Sequence, residues 1–236
     1  MLSEKKYFYI KTGSNYDNVR KGILNQHIVS NTFYFDLICK LIKYPQKIKP
    51  GRYEITPNTS LFGLIRKLKS GKQKEVRLVI TKLRTKEDFA GKIGRQFEAD
   101  SLKVIQFILN NDSLKKHQID TNNMMSLIIP NSYLFWWNGS VDKIITRLKA
   151  QHDLFWEGKR IEKAKKLGLT TNEVYTLASI VEEETNADAD KGKIASVYLN
   201  RIKKGMKLEA DPTVKYALRK FELKRVLHVH LAFSLP

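Results

Sequence analysis

With 236 residues, 42% of them hydrophobic, the chain is long enough for one large or two modest domains with a core. Its 43 lysines and arginines against 24 aspartates and glutamates give a formal charge of +19, which favours an anionic partner such as nucleic acid, an anionic membrane face or an acidic wall polymer. The single cysteine excludes an intrachain disulfide, and the sequence contains no run of about 20 apolar residues that could span a bilayer.

The first 72 residues are predicted to form a small α+β module. The predicted elements are, in order, a strand at 7–11, a helix at 16–26, a helix capped by Asn31, a strand at 52–56 and a helix at 60–69. Cys39 is predicted to be a small core residue. Apolar side chains recur through the second helix at Phe33, Leu37, Ile38, Leu41 and Ile42. This order of elements fits the LysM type of glycan-binding module, although many small modules share it.

The middle of the chain combines strand and helix patterns with one aromatic stretch. A strand is predicted at 75–81, mostly loop at 110–123, and helices at 86–97, 101–110 and 141–158, with an extension of the last helix to residue 167 as an alternative. The stretch 126–139 contains Tyr133, Phe135, Trp136 and Trp137. Aromatic faces stack on sugar rings and can line a glycan cleft. The alternative, favoured for most of these residues, is a buried strand under a loop.

A central helix is predicted from residue 170 to residue 186. Thr170 and Glu173 have the spacing of a capping box, which marks the start of a helix. Leu177, Ile180 and Val181 then recur on one apolar face.

Three consecutive glutamates near the end of this helix are predicted to lie on different faces. At about 100° per residue, Glu184 lies one turn beyond Ile180 inside the apolar stripe. Glu183 points to the opposite face, and Glu182 lies beyond the other edge of the stripe. Burial favours the protonated carboxyl that a general acid needs, so Glu184 is a candidate catalytic residue. The alternative, which the helix alone favours, is a solvated glutamate at a frayed helix end.

Two further helices are predicted after the glutamates. The first spans 191–204, and its inner side is predicted to carry Ile194, Val197, Tyr198 and Ile202. The second begins at Asp211, which precedes Pro212 and is predicted to be the N-cap. His228 and His230 alternate, but two histidines without a third ligand are a weak metal signal, so we predict no metal site.

Three segments of the C-terminal half carry a recognisable set of motifs. They are L-A-S-I-V-E-E-E-T at 177–185, I-A-S-V-Y-L-N-R-I-K-K-G-M-K-L at 194–208 and D-P-T-V-K-Y-A-L at 211–218. Together they resemble the YceG-like endolytic murein transglycosylases, whose pattern is A-S-I-x-E-x-E-T, then an N-R-L and G-M step, then D-P-T-V. Weaker similarity extends to K-P-G-R-Y-E-I at 49–55, in the family's LysM-like subdomain, and to I-P-N-S-Y at 129–133.

The resemblance implies an α+β fold, with a small LysM-like glycan-binding module at 1–72 and a mixed α/β YceG-like catalytic domain at 73–236. It implies a lytic transglycosylase, a lyase that cleaves the β-1,4 bond between MurNAc and GlcNAc of peptidoglycan without hydrolysis and leaves 1,6-anhydroMurNAc ends. No metal or organic cofactor is required. The family's N-T-Y and G-L-P-P-G segments are absent from this sequence, so we expect a catalytic domain shortened at its C-terminus.

The same resemblance assigns the site residues. The family's catalytic glutamate is the second Glu of E-x-E-T, here Glu184, which favours catalysis over a solvated glutamate. Glu184 is expected to act as single general acid and base. The substrate-binding residues expected from the matched motifs are Glu182, Asn200, Glu209, Asp211, Thr213, Tyr216 and Tyr133. Glu209 stands where the family commonly has Gln, and Asn131 where it often has Asp, which changes the hydrogen-bonding character of both positions.

The resemblance also implies a bacterial cell-envelope protein of cell-wall biogenesis and degradation. We expect peptidoglycan glycan strands and cell-wall synthesis proteins as partners. We also expect an inner-membrane anchor N-terminal to this sequence, which holds the catalytic part outside the cytoplasm, in the periplasm. Two alternatives stay open: a non-catalytic peptidoglycan-binding or scaffolding protein in which Glu184 is structural, and a nucleic-acid binder. Lysine and arginine are spread along the chain rather than clustered, so no nucleic-acid partner is predicted.

Overall fold

The computed structural model describes residues 4–227 and 230, which belong to two units. The first unit is built from the described residues of Met1–Thr121 and Pro130–Leu148, the second from those of Asn122–Ile129 and Lys149–Pro236. The first unit contains helices and two small sheets, and the described part of the second unit is helical, which together agree with the predicted α+β class. The predicted boundary at residue 72 stays a prediction.

The elements follow one another in a helix-rich order. They are β1 (Lys6–Ile10), α1 (Tyr16–Asn25), α2 (Phe33–Leu41), β2 (Gly51–Ile55), α3 (Leu61–Ser70), β3 (Val76–Ile80), α4 (Lys86–Gln96), α5 (Ser101–Ile108), α6 (Asn111–Lys115), β4 (Asn131–Phe135), α7 (Val141–Trp156), α8 (Lys159–Lys166), α9 (Thr171–Glu184), α10 (Asp188–Lys203) and α11 (Asp211–Ala217). Short 3-10 helices lie at Tyr44–Gln46 and Met124–Leu127. None of the helices that the structure describes is long and apolar enough to cross a bilayer.

The two predicted N-terminal strands pair with each other. β1 and β2 are antiparallel, with Lys6 opposite Ile55 and Ile10 opposite Gly51. Helices α1, α2 and α3 contribute to a core that contains Phe8, Ile10, Val19, Ile23, Phe35, Cys39, Tyr44, Tyr53, Ile55, Leu64, Ile65 and Leu68. The prediction that Cys39 is a core residue is therefore confirmed.

Helix α2 is apolar on two faces. Phe35 and Cys39 face the core, but Phe33, Leu37 and Leu41 are exposed. The N-cap position is Thr32, and the predicted cap, Asn31, instead accepts a hydrogen bond from the backbone N–H of Phe33 at 2.6 Å. Periodicity identifies an apolar stripe, but packing partners decide which stripe is covered.

The second sheet pairs β3 with β4, with Val76 opposite Phe135 and Ile80 opposite Asn131. Tyr133 and Phe135 are buried there with their rings 6.1 Å apart, and Trp137 is buried as well. The interpretation of this aromatic stretch as mostly buried strand is therefore confirmed. Within the same unit the Tyr9 ring meets the Trp137 ring edge-on at 4.9 Å, which joins the two sheets.

The structure refines two predictions in the middle of the chain. The segment predicted as loop contains α6, because the side chain of Asn110 accepts hydrogen bonds from the N–H groups of Asp112 and Ser113 and starts a helix. The helix predicted at 141–158 corresponds to α7, and the alternative extension to residue 167 is instead a second helix, α8. The two helices are separated at Gly158, whose φ of +61° belongs to the left-handed region that favours glycine.

In the second unit, α10 and α11 pack against α9. The small core between them consists of Leu177, Ile180, Val181, Tyr198 and Ala210. On α10 the prediction of an inner side holds for Tyr198, which is buried, and for the partly buried Ile194. It is wrong for Val197 and Ile202, which are exposed.

Candidate active site

Helix α9 is held firmly at its start. The side chain of Thr170 accepts from the N–H of Glu173, whose carboxylate accepts from the Thr170 N–H at 2.7 Å, so the predicted capping box is confirmed. One turn later, Ser126 donates to the side-chain oxygen of Asn172 at 2.8 Å, and the Tyr175 hydroxyl donates to the carbonyl of Ile128 at 3.0 Å. Both contacts lie within the second unit and fix the direction in which α9 carries its glutamates.

Glu184 is the last residue of α9 and follows the apolar stripe of that helix. The stripe is as predicted, since Ile180 and Val181, one turn earlier, are buried. The predicted burial of Glu184 is wrong, because Glu184 is exposed while Glu183 is partly buried. The core closes at Val181, so the last turn carries the carboxylate past the packed region. Glu184 is thus on the expected side of the helix but in contact with solvent.

Tyr198 of α10 is the residue that contacts Glu184. Its hydroxyl donates a hydrogen bond to Oε1 of Glu184 at 2.6 Å, within the range of a charge-assisted O–H···O bond. Burial raises the pKa of the Tyr198 phenol, and the hydrogen bond to Glu184 raises it further, so the hydroxyl keeps its proton and acts as a donor. The sequence predicted that Tyr198 faces inward but not that it reaches Glu184.

Glu182 links the end of α9 to the start of α10. Its Oε2 lies 2.6 Å from Nζ of Lys191, and the same ammonium group lies 2.8 Å from Asp188. The hydrogen bond that Lys191 donates to Asp188, followed by the one that it donates to Glu182, raises the pKa of Lys191, which therefore stays charged. Glu182 is exposed beside Glu184 and engaged in an ion pair.

Arg201 holds the loop that follows α10. Its Nε donates to the carbonyl of Lys207 at 2.7 Å, and its guanidinium also pairs with the carboxylate of Glu209. Glu209 has a φ of +53°, a backbone conformation that L side chains rarely adopt. The two interactions of Arg201, with the Lys207 carbonyl and with the Glu209 carboxylate, hold the loop in that conformation. The carboxylate of Glu209 is therefore neutralised by a neighbouring arginine.

Asp211 is the first residue of α11 and not its N-cap, which is Ala210, so the predicted capping role is wrong. Ala210 is buried in the core, and this burial places the helix start one residue earlier. The negative charge of Asp211 is close enough to Tyr198 to contribute to the raised pKa of that phenol. Thr213 donates its hydroxyl to the Ala210 carbonyl at 2.6 Å, which stabilises the first turn.

The structure groups some of the other predicted residues less closely. Asn200 is exposed on α10 and lies two residues beyond Tyr198, a turn of about 200° that directs it away from the Tyr198 face. Tyr216 on α11 is exposed, with the Arg219 guanidinium 5.4 Å from its ring centre. Tyr133 is buried in the first unit. The substrate-binding assignment of all three stays a prediction.

Within residues 4–227 and 230, no three His, Cys, Asp or Glu side chains are grouped so that they could hold a metal ion. His228, one of the two alternating histidines, lies outside the described residues.

The three motif segments build this site. Helices α9 and α10 support Glu184, Arg201 holds the loop after α10, and α11 begins at the third segment. The YceG-like family profile matches residues 8–235, so the chain belongs to the YceG-like family. The fold agrees with this: a crystal structure of a yceG-like protein from Listeria monocytogenes superposes with a TM-score of 0.60 at 24% identity, over 100% of this chain and 82% of that one.

Two curated relatives carry a functional name. An endolytic murein transglycosylase of Bacillus subtilis (strain 168) is 40% identical over 97 residues, which are 41% of this chain and 26% of the relative. An endolytic murein transglycosylase of Streptococcus pneumoniae (strain ATCC BAA-255 / R6) is 24% identical over 247 aligned positions, covering 91% of this chain and 44% of the relative. The chain thus spans less than half the length of the curated relatives that it matches.

Proposed function

We propose that this chain is an endolytic lytic transglycosylase that cleaves the MurNAc–GlcNAc β-1,4 bond of peptidoglycan strands without hydrolysis. Membership of the YceG-like family and the names of the two relatives support the substrate and the reaction class. The observation that carries the assignment of the catalyst is the 2.6 Å hydrogen bond by which Tyr198 orients Glu184 at the exposed end of α9.

One carboxyl group suffices for this reaction. Glu184, as acid, gives its proton to the glycosidic oxygen as the bond from C1 of MurNAc to that oxygen breaks. As carboxylate it then takes the proton of the C6 hydroxyl of the same sugar, whose oxygen closes on C1 to form the 1,6-anhydro ring. The proton is returned to Glu184, no water is consumed, and no second carboxylate is needed to activate one, in contrast to hydrolytic glycosidases.

The exposure of Glu184 suits a polymeric substrate. An endolytic enzyme must bind a strand that extends in both directions from the scissile bond, so its catalyst has to lie where a polymer can pass. Because Tyr198 engages Oε1, we assign proton transfer to Oε2 of Glu184. The bound strand would then exclude water from the carboxyl group of Glu184, which the protein core leaves exposed in the free chain.

The residues around Glu184 are proposed to border the strand. Glu182 and Glu209, held by Lys191 and Arg201, present hydrogen-bond acceptors for the strand. The exposed ring of Tyr216 offers an aromatic face for a sugar. Further substrate-binding residues proposed from the family motifs are Asn200, Asp211, Thr213 and Tyr133.

The wider setting follows from this activity. We place the protein in the bacterial cell envelope, with an N-terminal anchor in the inner membrane, the catalytic part outside the cytoplasm and cell-wall synthesis proteins as partners. Residues 1–72, with the β1–β2 pair, are proposed to be a LysM-like glycan-binding module. The +19 charge suits muropeptide carboxylates.

Purified sacculi test the proposal directly. The chain, and a version extended by the family's later C-terminal segments, are incubated with sacculi, and the soluble products are weighed by mass spectrometry. Anhydro-muropeptides that depend on Glu184 support a lytic transglycosylase. Hydrated, reducing ends would indicate a hydrolase, and binding of sacculi without any release by either version would favour the non-catalytic scaffolding alternative.

A further inference from the structure

Helix α2 exposes a continuous apolar surface, which we call the α2 outer face. It consists of Phe33, Tyr34, Leu37 and Leu41, whose exposed fractions are 65%, 65%, 56% and 80%. At about 100° per residue these four side chains fall within about 100° of arc, opposite the buried Phe35 and Cys39. Solitary exposed leucines are normal, but two leucines and two aromatic rings on one short helix indicate a surface that binds something.

The charges around the α2 outer face are almost all positive. From Phe33 to Lys47 the sequence has three lysines, Lys40, Lys43 and Lys47, and one acid, Asp36. The carboxylate of Asp36 is turned away from the outer face, where it accepts from the Tyr16 hydroxyl at 2.7 Å and from Arg20 at 2.9 Å. Lys40, beside the outer face, and Lys43 and Lys47, just beyond the helix, are exposed.

We propose that the α2 outer face binds the surface of an anionic lipid bilayer. Apolar and aromatic side chains on one face of a helix, flanked by lysines, are the pattern of helices that lie in the membrane interface. The lysines would meet lipid phosphates while the leucines and aromatic rings enter the boundary between headgroups and acyl chains.

Other occupants suit this surface less well. A second copy of the chain would bring two lysine-flanked faces together, and like charges oppose that contact. Acidic muropeptides would satisfy the lysines but would leave Leu37 and Leu41 in water. The bilayer is the partner that matches both the charge and the aliphatic side chains. This proposal does not depend on the chemistry of Glu184, because its test measures binding and not activity.

The first experiment removes the apolar part. Binding of the full chain to vesicles of 30% phosphatidylglycerol and 70% phosphatidylcholine is compared with binding of Leu37→Gln/Leu41→Gln. The matched control is Leu102→Gln/Leu109→Gln at α5, where the leucines are 69% and 54% exposed. We expect the α2 variant to lose at least about tenfold in affinity and the control to bind like the parent chain. Equal losses in both variants would overturn the proposal.

The second experiment removes the charges. Lys40→Gln/Lys43→Gln/Lys47→Gln is compared with Lys163→Gln/Lys165→Gln/Lys166→Gln on α8, which changes net charge equally at exposed positions. The α2 triple variant should lose about fivefold or more in affinity for the phosphatidylglycerol vesicles, and the α8 variant clearly less. Equal losses would mean that net charge alone attracts the chain, and binding to pure phosphatidylcholine as strong as to the mixture would also contradict the proposal.

A position-specific probe completes the test. Because Cys39 is buried, an environment-sensitive fluorophore on Leu41→Cys reports on the outer face, and the same label on Leu102→Cys serves as the control. Vesicles should shift the emission of the first label to the blue and leave the second unchanged. If the Leu41 label instead shifts on raising the protein concentration without lipid, in parallel with dimers seen by light scattering, the face joins two copies and the bilayer proposal fails.

Discussion

The hydroxyl of Tyr198 donates to Oε1 of Glu184 across 2.6 Å, from a phenol that is only 8% exposed to a carboxylate that is in contact with solvent. A buried donor has few orientations, so it fixes the rotation of the exposed carboxyl group. The charge of Asp211 also acts on this phenol. Helices α9 and α10 therefore meet at one polar contact, and we regard Tyr198 as a positioning residue for Glu184.

Replacement of Tyr198 by phenylalanine removes the hydroxyl and keeps the ring in the core. We expect a loss of stability below about 2 kcal/mol, measured by urea denaturation, because the carboxylate can turn to water. Turnover of sacculi should fall by about tenfold or more with little change in KM, because the substrate still binds but the catalyst is no longer oriented. The control is Tyr216→Phe, which removes the hydroxyl of the exposed ring on α11. This variant should not show a fall in kcat at constant KM.

Glu184→Gln keeps the size of the side chain and removes its ability to transfer a proton. Since Glu184 is exposed, the melting temperature should stay within a degree or two of the parent chain. Release of anhydro-muropeptides should fall by about a hundredfold to ten-thousandfold, because the acid and base roles both belong to this group.

Its neighbour Glu183 supplies the control for that variant. Glu183→Gln should keep most of the activity, and because Glu183 is partly buried, any effect should appear in stability instead. Glu182→Gln should be intermediate, since it breaks the ion pair with Lys191 and leaves the carboxyl of Glu184 in place. Normal product release from Glu184→Gln, or an equal loss from Glu183→Gln, would contradict the single-glutamate mechanism.

Local features of this fold could be predicted from the sequence, and tertiary ones could not. The capping box of Thr170 and Glu173 involves residues three apart, so its chemistry is complete within the helix. The apolar stripe of α9 was likewise predictable from spacing. The point at which that stripe becomes exposed depends on how far α10 and α11 extend along α9. The spacing of residues within α9 contains no information about this. The burial of Glu184 was therefore predicted wrongly although its face was right.

Helix α2 shows the same limit in another form. Its sequence is apolar nearly all round, so periodicity could not distinguish the face of Phe35, which packs in the core, from the face of Leu37, which does not. The hydrogen bond from Tyr198 to Glu184 joins two helices. The sequence indicated only that Tyr198 faces inward. The misplaced N-cap of α11 had a similar cause, because burial of Ala210 in the core set the start of the helix.

Glu209→Gln tests whether the ion pair with Arg201 or the shape of the side chain matters. The amide oxygen can still accept from Arg201, so we expect a cost below about 1 kcal/mol and retained activity. Arg201→Gln should cost more, about 1–2 kcal/mol, because it also frees the Lys207 carbonyl and no longer holds Glu209 at its positive φ. The neighbouring Lys203→Gln is the control for loss of a cation on α10 and should be nearly neutral in urea unfolding. A larger loss for Glu209→Gln than for Arg201→Gln would show that the carboxylate itself is required.

The attachment of α2 to α1 should depend on pH through Asp36. Burial raises the pKa of this carboxyl, but the hydrogen bonds from Tyr16 and Arg20 together outweigh it and bring the pKa below its ordinary value near 3.8. A carboxyl whose pKa is lowered in the folded state contributes stability above its unfolded pKa and loses that contribution as the pH falls through the folded value. Asp36→Asn should therefore be less stable than the parent chain by about 1 kcal/mol at pH 7, and the two should converge below about pH 3.8.

The measurement is a set of urea midpoints between pH 7 and pH 2 for the parent chain, Asp36→Asn, Arg20→Gln and the double variant. The double-mutant cycle separates the Arg20–Asp36 contact, at 2.9 Å, from the hydrogen bond that Arg20 also donates to Thr32. The coupling between the two residues should be present at pH 7 and fade on acidification, because protonation removes the charge that Arg20 binds. An absence of coupling at pH 7 would show that the Arg20–Asp36 contact does not stabilise the attachment of α2, and a coupling at pH 2 as large as that at pH 7 would show that it does not depend on the charge of Asp36.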